Sequence, residues 1–175
     1  MLKLNLASGT DYRDGWVNLD IVPKWPLASR RCDIIWDARK DRIPFDNNSA
    51  CEIYAGYLFL HLAPRFHDQV LKEIRRVLSP TGYLIVGEVD MDIVMYKFLR
   101  NPDDKRCHEL IWGEQGLLPD GSNQFDLAEY DKHCCGFVES TLRSFLDAHG
   151  FVNIERVKMH SSDVWYELTL ICQKS

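Results

Sequence analysis

The sequence has no apolar run approaching the ~18 residues of a membrane span. Its opening, MLKLNLASG, reaches Asn5 and Gly9 too early for the apolar stretch of a secretory leader. A cytoplasmic location is therefore expected. No repeat, linker or low-complexity run appears, so one domain is expected over 1–175. No GxGxxG occurs, which argues against a nucleotide- or NAD-binding loop that cradles a pyrophosphate. No CxxC pair occurs, and the six cysteines read as reduced thiols. Cys107-His108 and His133-Cys134-Cys135 are the only groupings suited to zinc, and adjacent ligands chelate poorly. Small, half-buried apolar side chains are the simpler reading, and no metal is expected.

Excess positive charge is also missing. There are 21 Lys+Arg against 26 Asp+Glu, a formal net charge of −5. The excess is local: residues 90–131 hold 10 acidic and 4 basic side chains. Such a surface repels phosphate backbones, so a duplex nucleic-acid partner is not expected. What is present is an ample core. Apolar residues make up 46% of the chain, enough to fold without a disulfide or metal.

Leu2–Ala7 alternates like a strand and breaks at Ser8-Gly9. Trp16–Val22, Asp33–Trp36, Cys51–Ala55 and Tyr83–Val89 are further strand candidates. From Arg65 to Leu78 apolar residues recur with a 3.6-residue period, with Pro64 before and Pro80 after. Lys72, Arg75 and Arg76 fall on the other face, expected to be solvated. A second helix is expected from about Ser140 to His149, and another near Ile93. Val152–Met159 and Val164–Cys172 flank a polar turn, His160–Asp163, and read as a hairpin. Strands alternating with helices, then a hairpin, predict a three-layer α/β sandwich with a mostly parallel sheet and an antiparallel edge.

Ligands of open α/β sheets bind beyond the carboxyl ends of the strands. The residues there are Ala7-Ser8-Gly9-Thr10, Asp20, Asp37-Ala38, Gly56-Tyr57 and Glu88 to Asp90. A small-residue turn lets a ligand approach the backbone. An acid ending the second strand can accept two ribose hydroxyls, and one after the third can accept from an adenine amino group.

These features, in this order, resemble a known family. The segments Leu4-Asn5-Leu6-Ala7-Ser8-Gly9, Gly15-Trp16-Val17-Asn18-Leu19-Asp20, Ile43-Pro44-Phe45-Asp46, Ile53-Tyr54-Ala55, His61-Leu62, Leu71–Gly82 and His149-Gly150-Phe151 look like class I S-adenosylmethionine-dependent methyltransferases. They are most similar to a short branch that begins with L-N-L-G-x-G. The resemblance covers about 2–156, and its most specific piece is VLKEIRRVLSPTG. It implies a seven-stranded sheet and S-adenosylmethionine as cofactor. Leu6, Ala7, Ser8, Gly9 and Thr10 would surround the methionine part of the cofactor. Asp20 would take the ribose, Asp37 and Ala38 the adenine edge, and Gly56 and Tyr57 the far side.

Three departures from the family pattern stand out. Ala7 replaces a usual glycine; alanine is tolerable there if its φ is negative, and a loop that needs φ > 0 would bind the cofactor more weakly. Asp20 follows Gly9 by 11 residues, so Thr10–Gly15 must be a loop or a single turn. Leu60 replaces an acid before His61, which favours His61 as a packed or helix-start residue.

Methyl transfer needs a nucleophile held in line and little water, and a base only for a protonated acceptor. Glu88 and Asp90 stand two apart at a strand end and are candidates to orient the acceptor; the alternative is that one caps the next helix. His133 is the third candidate, paired with Asp131 and following a possible lid at Gly113–Asn123. Tyr12 either covers the site or packs. Tyr96, Phe98, Trp112, Phe125 and Tyr130 are expected to be mostly core. The expected acceptor is a small or glycan-linked molecule, not a polyanion. The alternative is a degenerate cofactor-binding protein that no longer transfers methyl groups.

Overall fold

The computed structural model describes residues 1–22, 30–113, 132–158 and 166–175. Its seven strands are β1 (Leu2–Leu6), β2 (Val17–Asp20), β3 (Ile34–Ile35), β4 (Ala50–Gly56), β5 (Leu78–Val89), β6 (Phe151–Val157) and β7 (Glu167–Lys174). They form one sheet in the order β3-β2-β1-β4-β5-β7-β6. The first five run parallel, and β7 is antiparallel to both β5 and β6. The helices are α1 (Leu58–His61), α2 (His67–Val77), α3 (Met91–Arg100), α4 (Lys105–Trp112) and α5 (Glu139–Ala148). This is the expected mostly parallel seven-stranded sheet, flanked by helices and ending in an antiparallel pair. The expected turn at His160–Asp163 lies outside the described residues.

Register explains where the core lies. Side chains alternate across a strand, so Leu4, Ile53, Leu84 and Cys172 form one row on one face. Leu6, Ala55, Val86 and Leu170 form the next row on that face. All eight are buried in one cluster with Leu71 and Ile74 of α2 and Leu142 and Leu146 of α5. The α2 periodicity buries Val70, Leu71, Ile74 and Val77. Each is worth about 1.5–3 kcal/mol, whereas an exposed pair such as Lys72–Asp68 is worth about 0.2–1 kcal/mol. Burial therefore fixes this helix. Its basic face is less solvated than expected. The Arg76 guanidinium donates to Glu73 and to the Ile43 and Phe45 carbonyls. Arg75 donates to the Ser175 carbonyl.

The opposite face is polar. Asn5 aligns with Asn18 and Tyr54, and Lys3 aligns with Glu52. Tyr83 beside Glu52 is 46% exposed. As the 11-residue spacing requires, residues 7–16 form a loop with turns and no helix. That loop, not a helix, packs near β1 on this side, with Arg13 over the Tyr54 ring and Lys3 near the Trp16 ring.

The strand order reverses between β1 and β4, which opens a crevice at their carboxyl ends. α3 follows β5 directly. With α4 it packs on Leu60 and Val89, and Tyr57 and Tyr166 lean against the same cluster. The described part of the 90–136 segment thus stands at the carboxyl edge beside β4 and β5. Its aromatics are less buried than expected: Tyr96 is 60% and Trp112 44% exposed. Both lie on the outer side of the helix pair, Tyr96 beside Arg100 and Trp112 against His108. Phe125 and Tyr130 lie outside the described residues.

Candidate active site

The loop after β1 is built by buried amides. Asn18 has no exposed surface, and its Oδ1 accepts from the Asn5 amide and the Arg13 N–H, both at 2.9 Å. Its Nδ2 donates to the Arg13 and Trp16 carbonyls and to Asp33. The Asn5 amide also reaches the Asp11 carbonyl at 2.6 Å. Asp33 takes the Asn18 N–H at 2.7 Å and the Tyr12 hydroxyl at 2.9 Å. Tyr12 is therefore a tie between the first loop and the start of β3. Burial alone would raise the Asp33 carboxyl, but the bonds from Asn18 and Tyr12 hold it below its usual value.

Asp20 ends β2, buried. Its Oδ2 accepts the Gly9 N–H at 2.7 Å and its Oδ1 the Val22 N–H at 2.8 Å. One carboxylate thus joins the loops after β1 and β2. In that loop Ala7 and Gly9 have φ of +53° and +50°. Of the two alternatives open for Ala7, the structure shows the positive φ. The alanine takes a left-handed conformation that costs an L-residue roughly 1–2 kcal/mol. The loop must turn away from β1 at once, and the Ser8 N–H bonds back to Leu19 of β2 at 3.0 Å.

β3 is tied in by the Trp36 N–H, which reaches the Asp20 carbonyl at 2.9 Å. Asp37 follows, and Arg39 grips its two oxygens in a fork at 2.8 and 2.9 Å. That guanidinium holds the Asp37 carboxyl down to about 2. Gln69 of α2 donates to the Ala38 carbonyl.

The β4 and β5 end differs. Tyr57 has φ +54°, and its N–H reaches the Gly87 carbonyl at 2.6 Å. It starts α1, whose Phe59 and Leu60 N–H groups are accepted by Glu88 at 3.0 and 3.3 Å. Glu88 has no exposed surface, and burial pushes its carboxyl up to about 8. It braces α1. Asp90 caps α3 by accepting the Asp92 N–H at 3.2 Å, and it pairs with Arg156 at 2.8 Å. Of the two readings open for these carboxylates, the cap is the one seen, with Asp90 at the start of α3. Their oxygens are engaged in the protein, on separate partners.

His133 Nδ1 lies 2.9 Å from the Leu110 carbonyl, which fixes the proton on that nitrogen. Its ring centre lies 4.9 Å from that of His61, the last residue of α1. Burial pushes His61 down to about 4, and it lowers His133 as well. Its expected partner Asp131 and the Gly113–Asn123 loop fall wholly or mostly outside the described residues. Cys134 and Cys135 face the His61 and Phe59 carbonyls. Among the described residues no group of three or more metal-ligating side chains converges.

The structure thus joins Leu6–Thr10 to Asp20 and, through β3, to Asp37 and Ala38. It joins Gly56 and Tyr57 to Glu88, and it sets His133 with His61. Sequence reading missed Asn18, Asp33 and Arg39, which hold the first group. It also missed Tyr54, whose ring lies over Gly56: a Cβ there would meet Tyr54 Cε1 at 2.5 Å. The signal available was the period-2 placement of Asn5, Asn18 and Tyr54 on the polar face.

No family model and no curated protein matches the chain. Solved structures do. A SAM-dependent methyltransferase from Archaeoglobus fulgidus superposes with a TM-score of 0.62 at 10% identity, over 98% of this chain and 85% of that one. One from Methanosarcina mazei gives 0.59 at 15%, over 98% and 91%. The 1,6-didemethyltoxoflavin-N1-methyltransferase of Burkholderia thailandensis, solved with its substrate and S-adenosylhomocysteine, gives 0.59 at 15%, over 99% and 71%. The chain therefore has the class I, Rossmann-like fold of S-adenosylmethionine-dependent methyltransferases.

Proposed function

We propose that the chain is an S-adenosylmethionine-dependent methyltransferase acting on a small or glycan-linked, non-polyanionic acceptor. The observation that carries this is Asp20, a buried carboxylate at the end of β2 that holds Gly9 of the β1 loop at the crevice where strand order reverses. The residues fit the cofactor. Ser8 is buried at the crevice, and its hydroxyl has no hydrogen-bond partner among the described residues. Asn5 Oδ1, beneath the loop, is a buried acceptor with none either. Both are polar atoms left open where a polar ligand would lie.

Leu6–Thr10 would hold the methionine part and Asp20 the ribose hydroxyls. Asp37, already forked by Arg39, would present Ala38 and its own edge to the adenine. The cofactor supplies an activated methyl group. Gly56 and Tyr57 would border that methyl, and α1, braced by Glu88, would keep Tyr57 in place. Glu88 and Asp90 act as positioning residues in this reading. His133, with Nε2 unprotonated at neutral pH, is the candidate base. The acidic 90–136 segment would form the lip of the acceptor site within a single domain. Among the described residues no helix is long and apolar enough to cross a membrane, which is compatible with the cytoplasmic location we propose.

Calorimetric titration with S-adenosylhomocysteine tests the reading. Binding in the micromolar range is expected, and Asp20→Ala should weaken it by at least ~1 kcal/mol. No binding at millimolar cofactor would refute it. A turnover assay then separates transfer from binding alone.

A further inference from the structure

One contact joins the β1 loop to β4, on the other side of the crevice, and is not used by the cofactor reading. The Arg13 guanidinium carbon lies 3.5 Å from the centre of the Tyr54 ring, which is stacking distance. Arg13 is held along its whole length. Its N–H donates to Asn18 Oδ1 at 2.9 Å, and its carbonyl accepts from Asn18 Nδ2 at 3.1 Å. Its Nε and Nη2 donate to Asp11 Oδ2 at 2.9 and 2.8 Å. The Trp16 ring centre stands 5.5 Å from the same guanidinium. A charged side chain in a loop is thereby reduced to 17% exposure.

The sheet receives the ring from the other side. Gly56 stands two residues beyond Tyr54 and so belongs to the same face of β4. A Cβ there would lie 2.5 Å from Tyr54 Cε1 and 2.6 Å from its hydroxyl oxygen, so the ring lies along the strand over this glycine. Gly56 aligns with Gly87 of β5. A Cβ on Gly87 would stand 3.3 Å from the same hydroxyl. The ring fills the room that two glycines leave, and its hydroxyl reaches the carboxyl ends of β4 and β5. Side chains of a strand ordinarily stand away from the sheet. A cover is needed to lay one down, and Arg13 is that cover. A guanidinium suits the task, because its plane stacks on an aromatic face as an ammonium cannot. Burial pushes the Tyr54 phenol up to about 12, so it meets a ligand as a neutral hydroxyl.

We infer that Arg13 is a positioning residue: it carries the setting of the β1 loop to the Tyr54 ring and so holds the Tyr54 hydroxyl above Gly87, where the acceptor would approach the cofactor methyl. The inference rests on the methyltransferase reading. A cofactor that settles the β1 loop would settle Asp11 and Arg13 with it, and through them the ring. The acceptor edge would then be complete only when the cofactor is in place.

The test uses the full chain with fluorine-labelled tyrosine, read by fluorine-19 NMR, and S-adenosylhomocysteine as the added ligand. The Tyr54 signal is assigned by its loss in Tyr54→Phe. It should shift as ligand binds, while the signal of Tyr83, exposed further back on β5 beside Glu52, stays in place. Arg13→Lys keeps the charge and removes the plane. In that variant the Tyr54 signal of the unliganded chain should move toward that of free fluorotyrosine, and the shift at saturating ligand should be lost. Arg13→Ala should behave in the same way, and the lysine variant decides the matter if the alanine variant does not fold. A Tyr54 signal unmoved by bound ligand in the parent would overturn the link. So would an Arg13→Lys chain whose Tyr54 still responds as in the parent, since the ligand would then act on the ring directly. Loss of ligand binding in Arg13→Lys would place Arg13 in the cofactor site and overturn its positioning role. Failure of the parent to bind S-adenosylhomocysteine in calorimetry would overturn the methyltransferase reading and the link with it.

Discussion

Asp33 and Asp37, on the β2–β3 flank of the carboxyl edge, sit below their usual pKa, Asp37 at about 2. Glu88, on the β4–β5 flank, is pushed the other way, to about 8. His61 and His133 on that second flank are lowered, so they too favour the neutral form. Burial raises Tyr54 and Tyr57 in the same sense. The difference lies in what surrounds each group. Around Asp33 and Asp37, amides, a phenol and a guanidinium donate to the charged form and outweigh desolvation. Around Glu88 and the histidines, desolvation dominates. One flank keeps charge and the other is dry; on the function proposed above, the first would meet a polar ligand and the second would serve a displacement that must exclude water.

The comparison can be broken most severely on the charged flank. Asn18→Ala would remove five hydrogen bonds at once, take the Asn18 acceptor from the Arg13 N–H, and cost the Asn5 amide and Asp33 one contact each. A loss of roughly 3 kcal/mol or more is expected, read by urea denaturation. A loss below 1 kcal/mol would mean that the loop is held otherwise.

The dry flank is sharpened by pH. Glu88 binds its proton more tightly in the folded chain than at its usual 4.5. Its contribution is therefore complete below about 4.5 and is lost as pH rises through about 8. Stability should fall by roughly 4 kcal/mol from pH 5 to pH 9, and Glu88→Gln should flatten that slope. His61 has the opposite sign. Its folded pKa of about 4 lies below the usual 6.5, so its contribution is complete above 6.5 and lost as pH falls through 4. His61→Gln should remove roughly 1–2 kcal/mol of that acid-side decline in thermal melts compared at pH 7 and pH 4.

The smallest effect concerns strain. Ala7→Gly should stabilise the fold by about 1 kcal/mol, because glycine adopts φ +53° without a Cβ clash. A destabilised variant would show that the loop is not strained there.

The sheet was legible because its strands are short alternating runs separated by Gly, Pro and Asp. Period 2 in Leu2, Leu4 and Leu6 and period 3.6 in α2 are both local signals. The loop character of Thr10–Gly15 followed from chain length alone. Other features are tertiary and leave little local trace. α1 is four residues long and has no periodicity to read. Glu88 looked free because its partners, the Phe59 and Leu60 N–H groups, lie 29 and 28 residues away. The left-handed φ of Ala7 follows from the bond of Ser8 to Leu19, which no spacing within the loop reveals. Asn5 and Asn18 carried a period-2 signal, but a polar residue inside a strand reads as surface until its partner is known.

The division between charged and dry flanks is tested most directly by carbon-13 NMR titration of the side-chain carboxyls from pH 2 to pH 9. Asp37 should remain ionised down to about 2, while Glu88 should stay protonated at neutral pH and titrate near 8. A Glu88 carboxyl already ionised at pH 6, or an Asp37 that titrates near 4, would contradict the account.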